Sequence, residues 1–356
     1  MTIHQNLAAL IRAGLRRDAW EPEYGSAIAW DPDKQRHSQD TVEVNLERAP
    51  LVWEPIAPAA EAQPLNALGP LIFLDGVMRM HTRLLLEQGD QYSYSGLGTA
   101  IVGGLRLYPG TATSMEKALL PPQVLRCLLL SDTHRLVEST TIPGIPHPFE
   151  GVYYAETPEE DAVRMPEQTL QRAMRRAEKE YLEQWLHTDS TFIVDGPLPQ
   201  YSTVHGQRQR PVVGFIKTLH TRYLPPEQHK VLYQLRPGER SPLFRIGQKQ
   251  ISWYLCLAAP EPTDTPLSGV VRLEMVTDTV QADIPRVQHV ADRLCHILPA
   301  LILARHEDSR SPQNLLPIHT LEKQLKMRMG HRRLLQRYIH DYFRHHFRQQ
   351  DLQKRL

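Results

Sequence analysis

Two apolar runs in this chain close in the same way: Leu71-Ile72-Phe73-Leu74 on Asp75-Gly76, and Phe192-Ile193-Val194 on Asp195-Gly196-Pro197. A short run of apolar and β-branched residues that closes on Asp-Gly predicts a buried strand, with an aspartate left at the sheet edge and a glycine that permits a tight exit. One such ending is most simply a turn. Two of them constrain the fold, because a sheet that brings both strand ends together holds a pair of carboxylates at one place. A pair of that kind suits divalent metal ions and phosphodiester chemistry.

The chain is large enough to bury such a site. It has 356 residues, 41% of them hydrophobic, which supports one large domain or two smaller ones with real cores and excludes a disordered chain. Net charge is only +1, so affinity for nucleic acid must come from a local basic surface rather than the global balance. Cys127, Cys256 and Cys295 lie in apolar stretches with no C-x-x-C spacing. They read as small core residues in a reducing compartment, which argues against a zinc site built on cysteine. Residues 1–17 read as a short amphipathic helix with Leu7, Leu10, Ile11 and Leu15 on one face, not as a signal peptide. No stretch approaches the roughly eighteen apolar residues of a membrane-spanning helix. The expectation is a cytoplasmic protein with no membrane partner.

The order of elements points to a mixed α/β fold, one central sheet flanked by helices. Residues 18–69 form an extended lead-in that packs over the core, with a possible strand at Thr41-Val42-Glu43-Val44. After the first Asp-Gly come residues 78–86, then strands at 92–95 and 98–107. The glycines between and within them match no phosphate-binding loop and fit hairpin turns and close strand packing. Residues 166–187 form a charged helix whose Leu170, Met174, Ala177, Tyr181 and Trp185 recur at three and four residue steps. Strands follow at 192–195, 211–217, 251–258 and 269–276, then helices at 285–305 and 314–329. The domain reading is a lead-in over 1–69, a catalytic unit over 70–330 and a basic amphipathic helix over 331–356. The last can contact DNA, dock on a partner, or fold back on its own domain or across a dimer.

The charged helix carries two candidate acids, Glu178 and Glu180, and Glu178 stands seventeen residues ahead of Asp195. A helix that packs beside the sheet and feeds the second Asp-Gly strand can aim Glu178 at the same sheet end. Three carboxylates would then converge, and they are stable together only when protonated or bound to cations. Oxygen-only ligation selects Mg²⁺ or Mn²⁺ over zinc. Lys217, at the end of the neighbouring strand, is placed to neutralise charge that develops on a phosphate.

These residues resemble the NurA nuclease family. Leu74-Asp75-Gly76 and Val194-Asp195-Gly196-Pro197-Leu198 are similar to its two Asp-Gly strand ends, and Arg175-Arg176-Ala177-Glu178 to its acidic helix motif. Val213-Gly214-Phe215-Ile216-Lys217 is similar to its Gly-x-x-Lys strand, and Val271-Arg272-Leu273-Glu274 to its late strand. The resemblance runs from about residue 70 to about 330 and rests on the order of the motifs. It implies a ribonuclease H-like core and a metal-dependent DNA nuclease. Such an enzyme acts on single- and double-stranded ends, and sometimes internally, as a homodimer partnered with a HerA-type hexameric ATPase translocase in end resection or antiviral defence. It implies Asp75, Glu178 and Asp195 as metal ligands. Where the family has Pro-Leu-x-x-Ala-His, this chain reads Pro317-Ile318-His319-Thr320-Leu321-Glu322, so Glu322 stands in place of the histidine and His319 lies one helical turn before it. Two rivals remain from the sequence: a non-catalytic adaptor subunit of a translocase, and a ribonuclease H-fold nuclease acting on RNA or hybrids.

Overall fold

A computed structural model of the chain describes residues 7–12, 15–17, 41–58, 69–88, 91–108, 118–132, 138–155, 162–198, 210–217, 219, 221–262, 264–277, 279–304, 306 and 311–353. Its strands are β1 Leu15–Arg17, β2 Val42–Glu43, β3 Leu71–Gln88, β4 Gln91–Leu107, β5 Gln123–Ser131, β6 Ser139–Thr140, β7 Phe149–Tyr154, β8 Thr191–Asp195, β9 Val212–Ile216, β10 Phe244–Ile246, β11 Gln250–Cys256 and β12 Val270–Val276. Its helices are α1 Leu7–Arg12, α2 Met165–Trp185, α3 Pro226–His229, α4 Val280–Ile297, α5 Leu316–Arg328 and α6 Arg332–Gln353.

All the strands join one mixed sheet in the order β2-β10-β11-β12-β9-β8-β3-β4-β5-β7-β6, with β1 paired to the far end of β3. At its centre β5, β4 and β3 form an antiparallel meander, while β8 and β9 continue from β3 in parallel. Parallel neighbours need a long crossover, and α2 supplies the last stretch of the one that leads from the meander into β8. The architecture is therefore α/β with a large mixed sheet.

Alternation along the central strands divides the core into two layers, as the two-residue period of a strand requires. Ile72, Leu74, Phe192 and Val194 face α2, where Leu170, Met174, Ala177, Tyr181 and Leu182 cover them. Leu71, Phe73, Ile193, Val213 and Phe215 face the other way, against Val287, Val290, Ala291 and Leu294 of α4. A third cluster closes the far half of the long hairpin: Leu84, Leu86, Leu97 and Leu128 meet Leu7, Leu10 and Ile11 of α1 and Leu335, Ile339 and Phe343 of α6. The basic C-terminal helix thus folds back on its own chain through its apolar face.

Several boundaries differ from the sequence expectations. β3 does not stop at Asp75-Gly76 but runs on to Gln88, and the segments 92–95 and 98–107 are one strand, β4, paired along its length. Gly76 stays in the ladder opposite Val102 because nothing there forces a turn, whereas Gly196 has φ +99° and does end β8. The glycines of β4 serve packing, as expected, but within the strand rather than at turns. A Cβ on Gly98 would lie 2.6 Å from Leu170 Cδ2, and one on Gly103 would lie 2.8 Å from Leu325 Cδ2. The helix expected from residue 285 begins at Val280 and gives way to a 3₁₀ turn, Leu298–Leu301. Residues 15–17, expected as helix, are a strand on β3. The expectations for residues 1–6 and for most of 18–69 lie outside the described residues. The three cysteines are buried and unpaired as disulfides, and burial pushes the Cys127 and Cys295 thiols up to about 12. No helix among the described residues is long and apolar enough to cross a membrane.

Residues 41–58 are fastened to the sheet by a buried arginine. Arg240 is 1% exposed; it donates to Glu47 at 2.7 and 2.9 Å and to Asp292 of α4 at 2.6 Å. Glu47 also accepts from the Leu243 backbone at 2.8 Å and from Gln288 at 3.0 Å. Removing one partner of a buried pair leaves an uncompensated charge in low dielectric. Glu47→Ala is expected to cost about 3 kcal/mol in denaturant unfolding, with Glu47→Gln costing less because it keeps part of the hydrogen bonding.

Candidate active site

The parallel pairing of β3 with β8 decides where the two aspartates stand. The register sets Leu74 beside Val194, so Asp75 and Asp195 follow on the same face of adjacent strands, which lie about 4.8 Å apart. Asp75 is not at the end of its own strand; it is where its neighbour ends. Beyond Asp195 the sheet loses β8, and the face above Gly76 and Gly196 is open to the helix α2.

Glu178 reaches that place because of a missing side chain. It projects from the buried stripe of α2 and is 6% exposed. A Cβ on Gly76 would sit 2.5 Å from its Oε1, so only glycine admits the carboxylate there. Glu180, the other candidate, lies on the outer face in an ion pair with Arg176. Glu178 receives a 2.9 Å hydrogen bond from Arg175 Nη1, and the Arg175 guanidinium also passes close to Gly196.

The second cation sits on the other side. Lys217, just past β9, donates to Asp195 Oδ2 at 2.8 Å and to Asn314 Oδ1 at 3.1 Å. Asn314 is fully buried at the entry to α5, and its Oδ1 also accepts from the Leu315 backbone at 3.1 Å. Sequence reasoning missed Arg175 and Asn314. The i, i+3 spacing of Arg175 to Glu178 was a usable signal, whereas nothing local in the sequence marks Asn314.

Glu274, in the strand that resembled the family's late motif, also belongs to the surroundings. It is buried, bonded to Arg272 at 2.6 Å and to Gln250. Its Oε1 accepts the Leu198 backbone N–H at 2.7 Å and so pins the chain that leaves Asp195. Gly214 makes room for it, since a Cβ there would lie 2.9 Å from Glu274 Cγ.

Of the two α5 candidates, Glu322 contributes one of the negative charges that act on Asp75, while its side chain accepts from Lys326 at 2.6 Å. His319 is half-buried one turn earlier. The structure thus brings Asp75, Glu178, Asp195, Lys217 and Glu322 into one electrostatic group.

Asp75 carries the strain of that group. Burial, then the charge of Asp195, push its carboxyl well above the ordinary carboxylate range; Glu178 and Glu322 add to the rise and Lys217 opposes it. Glu178 is raised too, chiefly by burial, with Arg175 pulling the other way. Among the described residues Asp75 forms no ion pair, and its carboxylate accepts only the Gly76 N–H at 2.8 Å. The donor set is all oxygen and over-supplied with negative charge, which fits a hard divalent cation. As they stand, no three His, Cys, Asp or Glu side chains among the described residues converge to hold an ion. Glu178 and Asp195 are each engaged by a cation of the protein itself, so they would have to exchange Arg175 and Lys217 for the metal.

A carboxyl whose folded pKa is raised binds more protons folded than unfolded, so its contribution favours the folded state at acid pH and is lost as pH rises through the folded value. Asp75→Asn is therefore expected to stabilise the metal-free protein at pH 7, by about 0.5–2 kcal/mol. The gain should shrink toward pH 4, a trend that thermal melts in chelator across that range would follow.

No protein-family model matches this sequence, and no curated protein matches it either.

Proposed function

We propose that this chain is a metal-dependent DNA nuclease that hydrolyses phosphodiester bonds with Mg²⁺ or Mn²⁺ at Asp75, Glu178 and Asp195. The observation that carries the reading is the register of β3 on β8, which sets two aspartates side by side at the point where β8 ends, with Glu178 reaching the same strand end over Gly76 from the α2 face. The strand order β5-β4-β3-β8-β9, an antiparallel meander joined through a helical crossover to two parallel strands, supports a ribonuclease H-like core. The order of motifs supports the NurA resemblance, and on it alone rests the pairing with a HerA-type hexameric translocase and a homodimeric state.

A divalent ion held by the three acids would supply Lewis-acid stabilisation of the charge that builds on the scissile phosphate. The chain's own residues prepare the site for it. Asn314 fixes Lys217, and Lys217 holds the outer oxygen of Asp195. Arg175 holds Glu178, and the two cations offset part of the charge that a divalent ion would otherwise neutralise. If a divalent ion took over the acids, Lys217 and Arg175 would be free to offer fixed positive charge to the phosphate, where it would stabilise a developing oxyanion. Glu274 keeps the turn after Asp195 in place.

Linear single-stranded, duplex and hybrid substrates titrated with Mg²⁺ and Mn²⁺ test the reading. Cutting that depends on metal and falls at least a hundredfold in Asp75→Ala and in Asp195→Ala is the expected result, the scale for losing a group that acts on the transition state. No cutting of any substrate with either metal refutes the activity, and cutting unchanged in those variants refutes the site. A preference for hybrids would favour the RNA-directed reading over DNA. Lys217→Ala is expected to lower kcat by about tenfold or more with little change in DNA affinity, measurable in single-turnover assays.

A further inference from the structure

Away from the carboxylates, on the hairpin where α5 gives way to α6, cationic side chains gather, and among the described residues Arg79 and Arg126 form no ion pair. The ladder registers set Arg79 of β3 opposite Thr99 of β4, and Thr99 opposite Arg126 of β5. Residues directly opposite across three strands share one face, so these side chains form a row across the sheet. His81 joins the row at the bulge between Met80 and Thr82, with its Nε2 2.7 Å from Thr99 Oγ1. Arg126 Nη1 donates to the same hydroxyl at 2.7 Å.

This row separates two apolar clusters. On one side Ile101 and Leu105 meet α5, and on the other Leu97 and Leu128 meet α6. The helical cover breaks above it, between Arg328 and Arg332. Arg79 Nη1 donates to the carbonyl of Gly330 in that break at 3.0 Å. Arg332, the first residue of α6, completes the positive surroundings, and its charge acts on both Arg79 and His81.

Arg126 is 5% exposed and His81 1%, yet Arg126 Nε and His81 Nδ1 have no partner. Among the described residues neither Arg79 nor Arg126 forms an ion pair; beyond Thr99, Arg126 has only the Phe149 ring, 5.9 Å from its Cζ. Thr99 accepts from Arg126, so it satisfies most groups by donating its own proton to His81 Nε2, which leaves Nδ1 as an N–H with no acceptor. Burial and the surrounding arginines hold His81 neutral, with its pKa lowered to about 3. The open valences are therefore all donors. A buried arginine with no counter-charge is costly, and the partner that answers donors and cations together is an acceptor-only anion.

We propose that the row Arg79–Thr99–Arg126, with His81 and Arg332 in the break between α5 and α6, is a seat for a phosphate group. Arg79 lies on the same face as Asp75, four residues along β3 and thus about 13 Å away. A phosphate held here stands roughly two nucleotides from one held at the carboxylates, the spacing of one extended strand touching both. That second clause rests on the nuclease reading; the seat itself does not.

The test uses the full chain in chelator, so no cutting is involved. Inorganic phosphate is titrated against thermal unfolding, with chloride at matched ionic strength as the control. Wild type is expected to melt about 2–6 °C higher at saturating phosphate than in chloride, and Arg126→Met to lose that shift. If Arg126→Met does not fold, Arg79→Met takes its place. No phosphate-specific shift in wild type, or the same shift in the variant, overturns the proposal. A 5′-labelled single-stranded oligonucleotide then separates the sources. An affinity loss of about threefold or more in the same variant assigns the seat to a strand phosphate, and an unchanged affinity with a lost phosphate shift assigns it to the free anion. A protein that cuts nothing but keeps the Arg126-dependent shift would sink the nuclease reading and leave the seat standing.

Discussion

The structure turns on the parallel pairing of β3 with β8. It is the contact at which two segments more than a hundred residues apart become neighbours, and its register alone sets Asp75 beside Asp195. Slipping the pairing by one residue would send every side chain of β8 to the opposite face. That would turn Phe192 and Val194 out of the layer they fill beneath α2 and disrupt the packing on both faces, so the hydrophobic pattern that stabilises the sheet also fixes the carboxylates in place. Stability and site geometry here have the same cause.

The consequence is an electrostatic cost built into the centre of the fold. Two aspartates and a glutamate meet at one strand end, Asp75 and Glu178 buried and Asp195 half-buried, and the protein offsets part of the repulsion with Arg175 and Lys217. Asp75 is the acid that forms no ion pair among the described residues, with Lys217 opposing the rise in its pKa only through its charge. Functional sites are where such strain is tolerated, because the surrounding packing overrides it. The layers above and below Asp75, with α2 on one side and α4 and α5 on the other, supply that packing.

A second polar feature follows from the length of the hairpin. β3 and β4 continue well past the carboxylates, and the far half needs its own cover, which α1 and α6 provide. Where the cover passes from α5 to α6 the sheet face is neither apolar nor balanced in charge, and Arg79, Arg126 and His81 gather there. Arg240, by contrast, is a buried arginine fully answered by Glu47 and Asp292. Arg126 forms no ion pair among the described residues and leaves its Nε without a partner.

Much of this was legible in the residues. Periodicity marked α2 and its buried stripe, and the short β-branched runs marked β8, β9, β11 and β12, because those signals are local and each element is one repeat of its own pattern. The two Asp-Gly endings picked out Asp75 and Asp195, and the spacing on α2 favoured Glu178, which lies on the stripe that must face the sheet. The continuation of β3 through Gly76 was not legible, since an Asp-Gly in a strand and one in a turn read alike until a partner strand is present. Asn314, the bond from Glu274 to Leu198, and the row Arg79–Thr99–Arg126 were also beyond reach. Each depends on a register or crossover between distant segments, and no local propensity encodes which strand lies next to which. The sequence determined the kinds of element and the acids worth watching; the tertiary structure decided which of those acids meet and which cations hold them, because both depend on which distant strands and helices lie side by side.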